Sequence, residues 1–81
     1  MRNMRRPLQL GPDVIQVRGI DRDGNSLSFV VFHATAAELA RRLYDEHWRY
    51  ASLSREDKVV GGVMLDVKTL HRTWWVETEK P

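Results

Sequence analysis

The stretch VIQVRGIDRDGNSLSFVVF, Val14 to Phe32, decides the fold. Both of its ends are rich in Val, Ile and Phe, which suit a half-buried pleated surface, and between them lie the turn formers Asp21-Arg22-Asp23-Gly24-Asn25. The pattern predicts a β-hairpin over residues 14 to 20 and 27 to 33. Loop length then sets the register. A two-residue turn at Asp23-Gly24 would put Ile20 opposite Leu27, Arg18 opposite Phe29 and Gln16 opposite Val31, mixing polar and apolar side chains on each face. A three-residue loop Arg22-Asp23-Gly24, a type I turn closed by Gly24 in the left-handed region, pairs Gly19 with Leu27, Val17 with Phe29 and Ile15 with Val31. One face is then apolar throughout. A slip of one residue would turn that set to the other face, so the three-residue loop is expected.

Downstream, Thr35-Ala36-Ala37-Glu38 is a capping box, in which Thr35 and Glu38 satisfy free backbone donors reciprocally and so start a helix. Ala36, Leu39, Ala40, Leu43, Tyr44, His47, Trp48 and Ala51 then recur at helical spacing as one apolar stripe. The opposite face is charged, with Glu38 and Arg42, Arg41 and Asp45, Arg42 and Glu46, and Asp45 and Arg49 each four apart, a spacing worth a few tenths of a kcal/mol per pair. The helix is expected to fade near Ala51, and Ser52 to Lys58 to form a polar connection with at most a short turn of helix.

The last third carries β-rich segments, Val59 to Leu70 and Arg72 to Thr78, with no Gly, Pro or Asn between them. Gly61-Gly62 disfavours a continuous helix, and Val63, Leu65 and Val67 alternate with Met64, Asp66 and Lys68. Two strands with a bend at Lys68 to His71 are therefore expected. Met64, Val67, Leu70, His71, Trp74 and Trp75 are also roughly helically spaced, so a helix over Val63 to Trp75 is the rival. Together these elements predict an α+β domain of ββαββ type, an antiparallel sheet with one helix packed on one face.

At 81 residues there is room for one core. Pro7 and Gly11-Pro12-Asp13 break regular structure, which divides the chain into a flexible basic arm, residues 1–12, and a single domain, residues 13–79. Arg2, Arg5 and Arg6 supply three of the thirteen Lys and Arg, leaving ten against eleven Asp and Glu beyond the arm. The body is thus balanced, without the basic stripe that phosphate neutralisation demands. No run nears the ~18 apolar residues of a membrane span, and no apolar leader follows Met1 to Arg6. The expected setting is the cytoplasm, the host's if the chain is phage-encoded, with no membrane partner.

The chain has no cysteine, which excludes disulfides, thiolate metal sites and thiol nucleophiles. His33, His47 and His71 do not form a ligand-spaced pair, and Asp45 and His47, two apart on a helix, diverge, so no metal and no cofactor are expected. Ser26, Ser28, Ser52 and Ser54 lack a nucleophile elbow. Gly61-Gly62 lacks the Lys and Ser or Thr of a phosphate loop, so a bulge or close backbone packing is the expectation there. No catalytic residue is assigned.

One helix covers one face of a small sheet. The face with Ile15, Val17, Leu27, Phe29 and Val31 is the natural partner of Leu39, Leu43 and Trp48, which leaves Val14, Val30 and Phe32 on the other. Leu70, Trp74 and Val76 share one strand parity and His71, Thr73, Trp75 and Glu77 the other, so Trp74 is expected inside and Trp75 on the open face. Val14, Val30, Phe32 and Trp75 are thereby the candidate interface, for a homodimer or another protein. On this basis Trp74→Ala would cost ~3–5 kcal/mol and Trp75→Ala would weaken association more than folding.

The Asp-Gly hairpin before a Thr-capped helix, the Arg-rich helix face and the ending Arg72-Thr73-Trp74-Trp75-Val76 resemble small accessory proteins of actinobacteria and their phages. The resemblance implies an accessory protein that binds a host or phage macromolecule, and it assigns no residue a role. The expected function is a non-enzymatic protein-interaction module. The alternative is a small nucleic-acid-binding regulator using Arg2, Arg5 and Arg6 with the hairpin residues Arg18 and Arg22, and a stacking aromatic such as Trp75.

Overall fold

The computed structural model describes residues 13–77. In chain order it contains β1 (Val14–Ile20), β2 (Ser26–Phe32), α1 (Ala36–Asp45), β3 (Tyr50–Arg55), β4 (Lys58–Asp66) and β5 (His71–Val76). The strands form one antiparallel sheet in the order β2-β1-β3-β4-β5. The α+β class with one helix on one face is as expected, but there are five strands instead of four. β2 and β3 are each antiparallel to β1, on its two sides. They therefore run parallel to one another and need a crossover connection, which α1 supplies.

The first hairpin has the expected register, with Gly19 paired to Leu27, Val17 to Phe29 and Ile15 to Val31. The Gly24 N–H donates to Asp21 O at 3.1 Å, and Gly24 sits at φ 87°, where only glycine is unstrained. Asp21 organises the loop further. Its carboxylate accepts from the Asn25 and Asp23 N–H groups, both at 2.9 Å. Chiefly the Asn25 backbone bond holds its pKa below the ordinary aspartate value.

α1 begins as expected. Thr35 Oγ1 accepts from the Glu38 N–H at 3.1 Å, the Thr35 half of the capping box. Its end differs, because the helix stops at Asp45 and not near Ala51. His47 adopts φ 66°, the His47 N–H donates to Tyr44 O at 3.0 Å, and the Trp48 N–H donates to Leu43 O at 3.1 Å. This is a Schellman stop made by a histidine where glycine is usual, sealed by Leu43 and Trp48, both in the core. Trp48 and Ala51 continue the apolar stripe, but from the connection and from β3.

The expected polar connection Ser52 to Lys58 is instead most of β3 and its turn into β4. Arg55 pairs with Lys58, so Glu56-Asp57 is a two-residue turn, and its φ values of 51° and 67° give it type I′ geometry. The rival helix over Val63 to Trp75 is absent. Asp66 caps the next turn with Oδ1, which accepts from the Lys68 N–H at 2.8 Å and the Thr69 N–H at 3.3 Å, and the loop is Val67 to Leu70. The pairing shifts between Leu53, opposite Gly61, and Ser54, opposite Val59. Val60 is the extra bulged residue, and it points into the core.

The core comprises Ile15, Val17, Ala36, Leu39, Ala40, Leu43, Trp48, Ala51, Leu53, Val60 and Val63, beneath a helix that packs on β3, β4 and β5. Arg72 of β5 fastens that helix. Its guanidinium lies 4.4 Å from the centre of the Tyr44 ring, and Nη1 donates to Tyr44 O at 2.9 Å and Trp48 O at 3.1 Å. A cation thus meets carbonyls at the helix C-terminus, where the dipole favours it.

Two stability changes follow. Arg72→Ala should lower the unfolding free energy by about 2–4 kcal/mol in urea titration, and Arg72→Lys, which keeps the charge without the planar fork, should recover less than half of the loss. The double change Glu56→Asn with Asp57→Gly supplies the residues that a type I′ turn prefers and should raise stability by about 1–2 kcal/mol in the same titration.

Candidate interaction surface

The sheet face away from α1 combines alternate residues of all five strands. Across its middle run Ser28, Arg18, Ser52, Gly62 and Trp75, beside a second row with Val30, Gln16 and Ser54. The centre is therefore polar. A shallow depression of ≈ 680 Å³ lies there, lined by Gln16, Arg18, Ile20, Ser28, Tyr50 and Ser52 among others. It holds one guanidinium and several hydroxyls, but no acid beside a base.

The four residues expected to form one apolar interface are dispersed. Val14 is 8% exposed and so contributes little open surface. Val30 and Phe32 lie on edge strand β2, at 41% and 61% exposure. Trp75 lies on the opposite edge strand, four strand spacings or roughly 19 Å away. Parity places Trp74 on the helix side, opposite Val63, and Trp75 on the open side, opposite Gly62, as expected. Depth is the reverse of the expectation. Trp74 is 39% exposed at the sheet's outer edge, whereas Trp75 is half-buried. The Trp75 Nε1 lies in contact range of Gly62, 3.5 Å from where a Cβ there would stand, whereas the group such a Cβ would overlap is the Ala51 carbonyl oxygen of β3.

The helix-facing side of β2 is also incompletely covered. Leu27 and Phe29, expected beneath the helix, are 40% and 39% exposed, because α1 lies over β3 to β5, and Trp48 meets Phe29 with ring centroids 6.0 Å apart. β2 consequently shows apolar side chains on both faces. No residue from Ser26 to Phe32 is charged. An exposed, uncharged strand of seven residues at a sheet edge is the kind of element that pairs with another chain. Sequence reasoning missed β2's edge position, although the absence of charge was a signal available in the sequence.

The residues considered for other chemistry lie apart. His33 follows β2, with Nδ1 at 3.9 Å from an Asp13 carboxylate; His47 ends α1, with Nδ1 3.3 Å from Arg72 Nη2; His71 opens β5. Among the described residues no group of three or more His, Asp or Glu could hold a metal ion. Arg18 lies on the open face, and Arg22 sits in the hairpin turn between Asp21 and Asp23. Arg2, Arg5 and Arg6, with the whole arm of residues 1–12, lie outside the described residues, as do residues 78 and 79. No helix among the described residues is long and apolar enough to cross a membrane.

The two tryptophans give a direct test of the reversed depths. Trp75→Ala should destabilise the fold by about 2–3 kcal/mol and Trp74→Ala by less, as measured by urea unfolding of each variant. Compared with known proteins, the chain matches no family model, no curated protein and no solved structure.

Proposed function

We propose that the chain is a protein-interaction module without a catalytic task, which docks a second polypeptide along the free edge of β2. One observation carries this: the edge strand is uncharged along its whole length and exposes Leu27 and Phe29 on one face and Val30 and Phe32 on the other. Strand addition uses both properties, with main-chain hydrogen bonds giving affinity and alternate side chains giving specificity. The contact residues are accordingly Leu27, Phe29, Val30 and Phe32. Val14 and Trp75 leave the set, the first buried and the second at the far edge. Such a module fits an accessory protein working in the cytoplasm by binding a host or phage macromolecule.

The test is Val30→Lys. The side chain stands on the open face of the edge strand, so the fold should be retained, whereas a lysine there blunts strand addition. Tagged wild type purified from cells that make it should bring down a polypeptide, either another protein or an untagged copy, at least about tenfold more efficiently than the variant. Equal recovery by both would overturn edge docking. Recovery of nucleic acid instead, lost as salt is raised, would favour the alternative regulator acting through Arg2, Arg5, Arg6, Arg18 and Arg22.

A further inference from the structure

Resting on that reading of the β2 edge, we infer that the partner is a second copy of this chain, joined β2 to β2 antiparallel about a two-fold axis at Phe29, so that two sheets become one. The backbone bonds at the two ends of the first hairpin define which groups are unpaired among the described residues. The Asp21 N–H donates to Asn25 O at 3.0 Å, and the His33 N–H donates to Asp13 O at 2.8 Å. Hydrogen-bonded pairs alternate with non-bonded ones in an antiparallel ladder, so Gly19 with Leu27, Val17 with Phe29 and Ile15 with Val31 are the bonded pairs between those ends. Leu27, Phe29 and Val31 thus spend their N–H and C=O groups on β1. Ser26, Ser28, Val30 and Phe32 turn theirs outward, at the regular spacing that another strand requires.

Under a two-fold axis at Phe29 the strand is complementary to itself. Ser26 faces Phe32 and Ser28 faces Val30, each as a hydrogen-bonded pair, so on the open face a small side chain meets a large one every time. On the helix side Leu27 faces Val31 and Phe29 faces the other Phe29 as close, non-bonded pairs. Apolar meets apolar there, and the partner covers the Leu27 and Phe29 surface that α1 does not reach. All seven residues of the strand pair and none is charged, so no like charges are brought together. A peptide of another sequence could use the same backbone groups, but with the small Ser26 and Ser28 at one end of the open face and the larger Val30 and Phe32 at the other, β2 fits its own reverse.

Sedimentation of the purified wild type should give a dimer of the 9.5 kDa chain at micromolar concentration. Ser28→Pro removes an outward N–H without touching the β1 ladder, and it should keep the circular dichroism spectrum while weakening dimerisation by about tenfold or more. Register is read by cross-linking, because the chain has no other cysteine. Phe29→Cys places two thiols across a close pair with Cα atoms ~4.5 Å apart and should oxidise to a covalent dimer, whereas Leu27→Cys, facing Val31, should not. A monomeric wild type, a Ser28→Pro variant that remains as dimeric as wild type, or equal cross-linking by both cysteines would each overturn the inference. If the wild type is monomeric yet still recovers another protein in a Val30-dependent way, self-pairing fails and edge docking stands. If recovery is also indifferent to Val30→Lys, both fail.

Discussion

A single α-helix is ~10–12 Å across with its side chains, and strands lie ~4.8 Å apart, so one helix covers two or three strands and cannot cover five. The position of that helix therefore decides which part of the sheet is left bare. Arg72 fixes the choice: reaching from β5 to the Tyr44 carbonyl in the last turn of α1 and the Trp48 carbonyl just beyond it, and lying over the Tyr44 ring, it holds the helix over the β3–β5 side. Trp48, after the helix, reaches back toward β2 through Phe29. The uncovered β2 edge follows from that geometry, and so does the candidate interaction surface.

How much of this is legible from the sequence depends on whether a turn announces itself. The first hairpin does, since Gly24 supplies the left-handed residue and the alternation of Ile15, Val17 and Gly19 against Leu27, Phe29 and Val31 admits one register. The other connections hide. His47, Glu56, Asp57 and Leu70 all occupy positive φ without being glycine or asparagine. Each carries a strain of ~1–2 kcal/mol that the surrounding ladder must hold in place. A turn made by Glu56-Asp57 has no recognisable turn signature, which is why β3 and the start of β4 read as a polar connection, and a helix stopped by His47 reads as one that continues. The Asp66 side chain bonds that close the β4–β5 loop were the one readable cue in that segment.

The tandem tryptophans show where parity is informative and where it is silent. Alternation along β5 correctly assigns Trp74 to the helix side and Trp75 to the open side. It cannot say how deep either lies, because depth depends on what stands opposite. Trp74 faces Val63 and stays 39% exposed although α1 packs on β5, while Trp75 faces Gly62, with its indole Nε1 in contact range of that residue. Parity is equally silent on how far apart residues of one face lie. Val14, Val30, Phe32 and Trp75 do share a face by parity, but the strand order puts β2 and β5 at opposite edges, with Gln16, Arg18, Ser52 and Ser54 between them.

The two edges of the sheet are treated differently, and that asymmetry bears on function. β5 carries His71 and Arg72 and lies under the helix, while the Glu77 N–H just beyond it donates to Val60 O at 2.9 Å. Charge and cover are the usual means of keeping an edge from recruiting another strand. Among the described residues β2 has neither, and it is no shorter than the β1 strand it pairs with. In a domain of this size, where a modest fraction of apolar surface is removed from water, leaving Leu27, Phe29, Val30 and Phe32 half-exposed forgoes stabilisation the chain can ill spare. Pairing along β2 would recover it, which makes the exposed edge an unfinished part of the core as well as the proposed docking element.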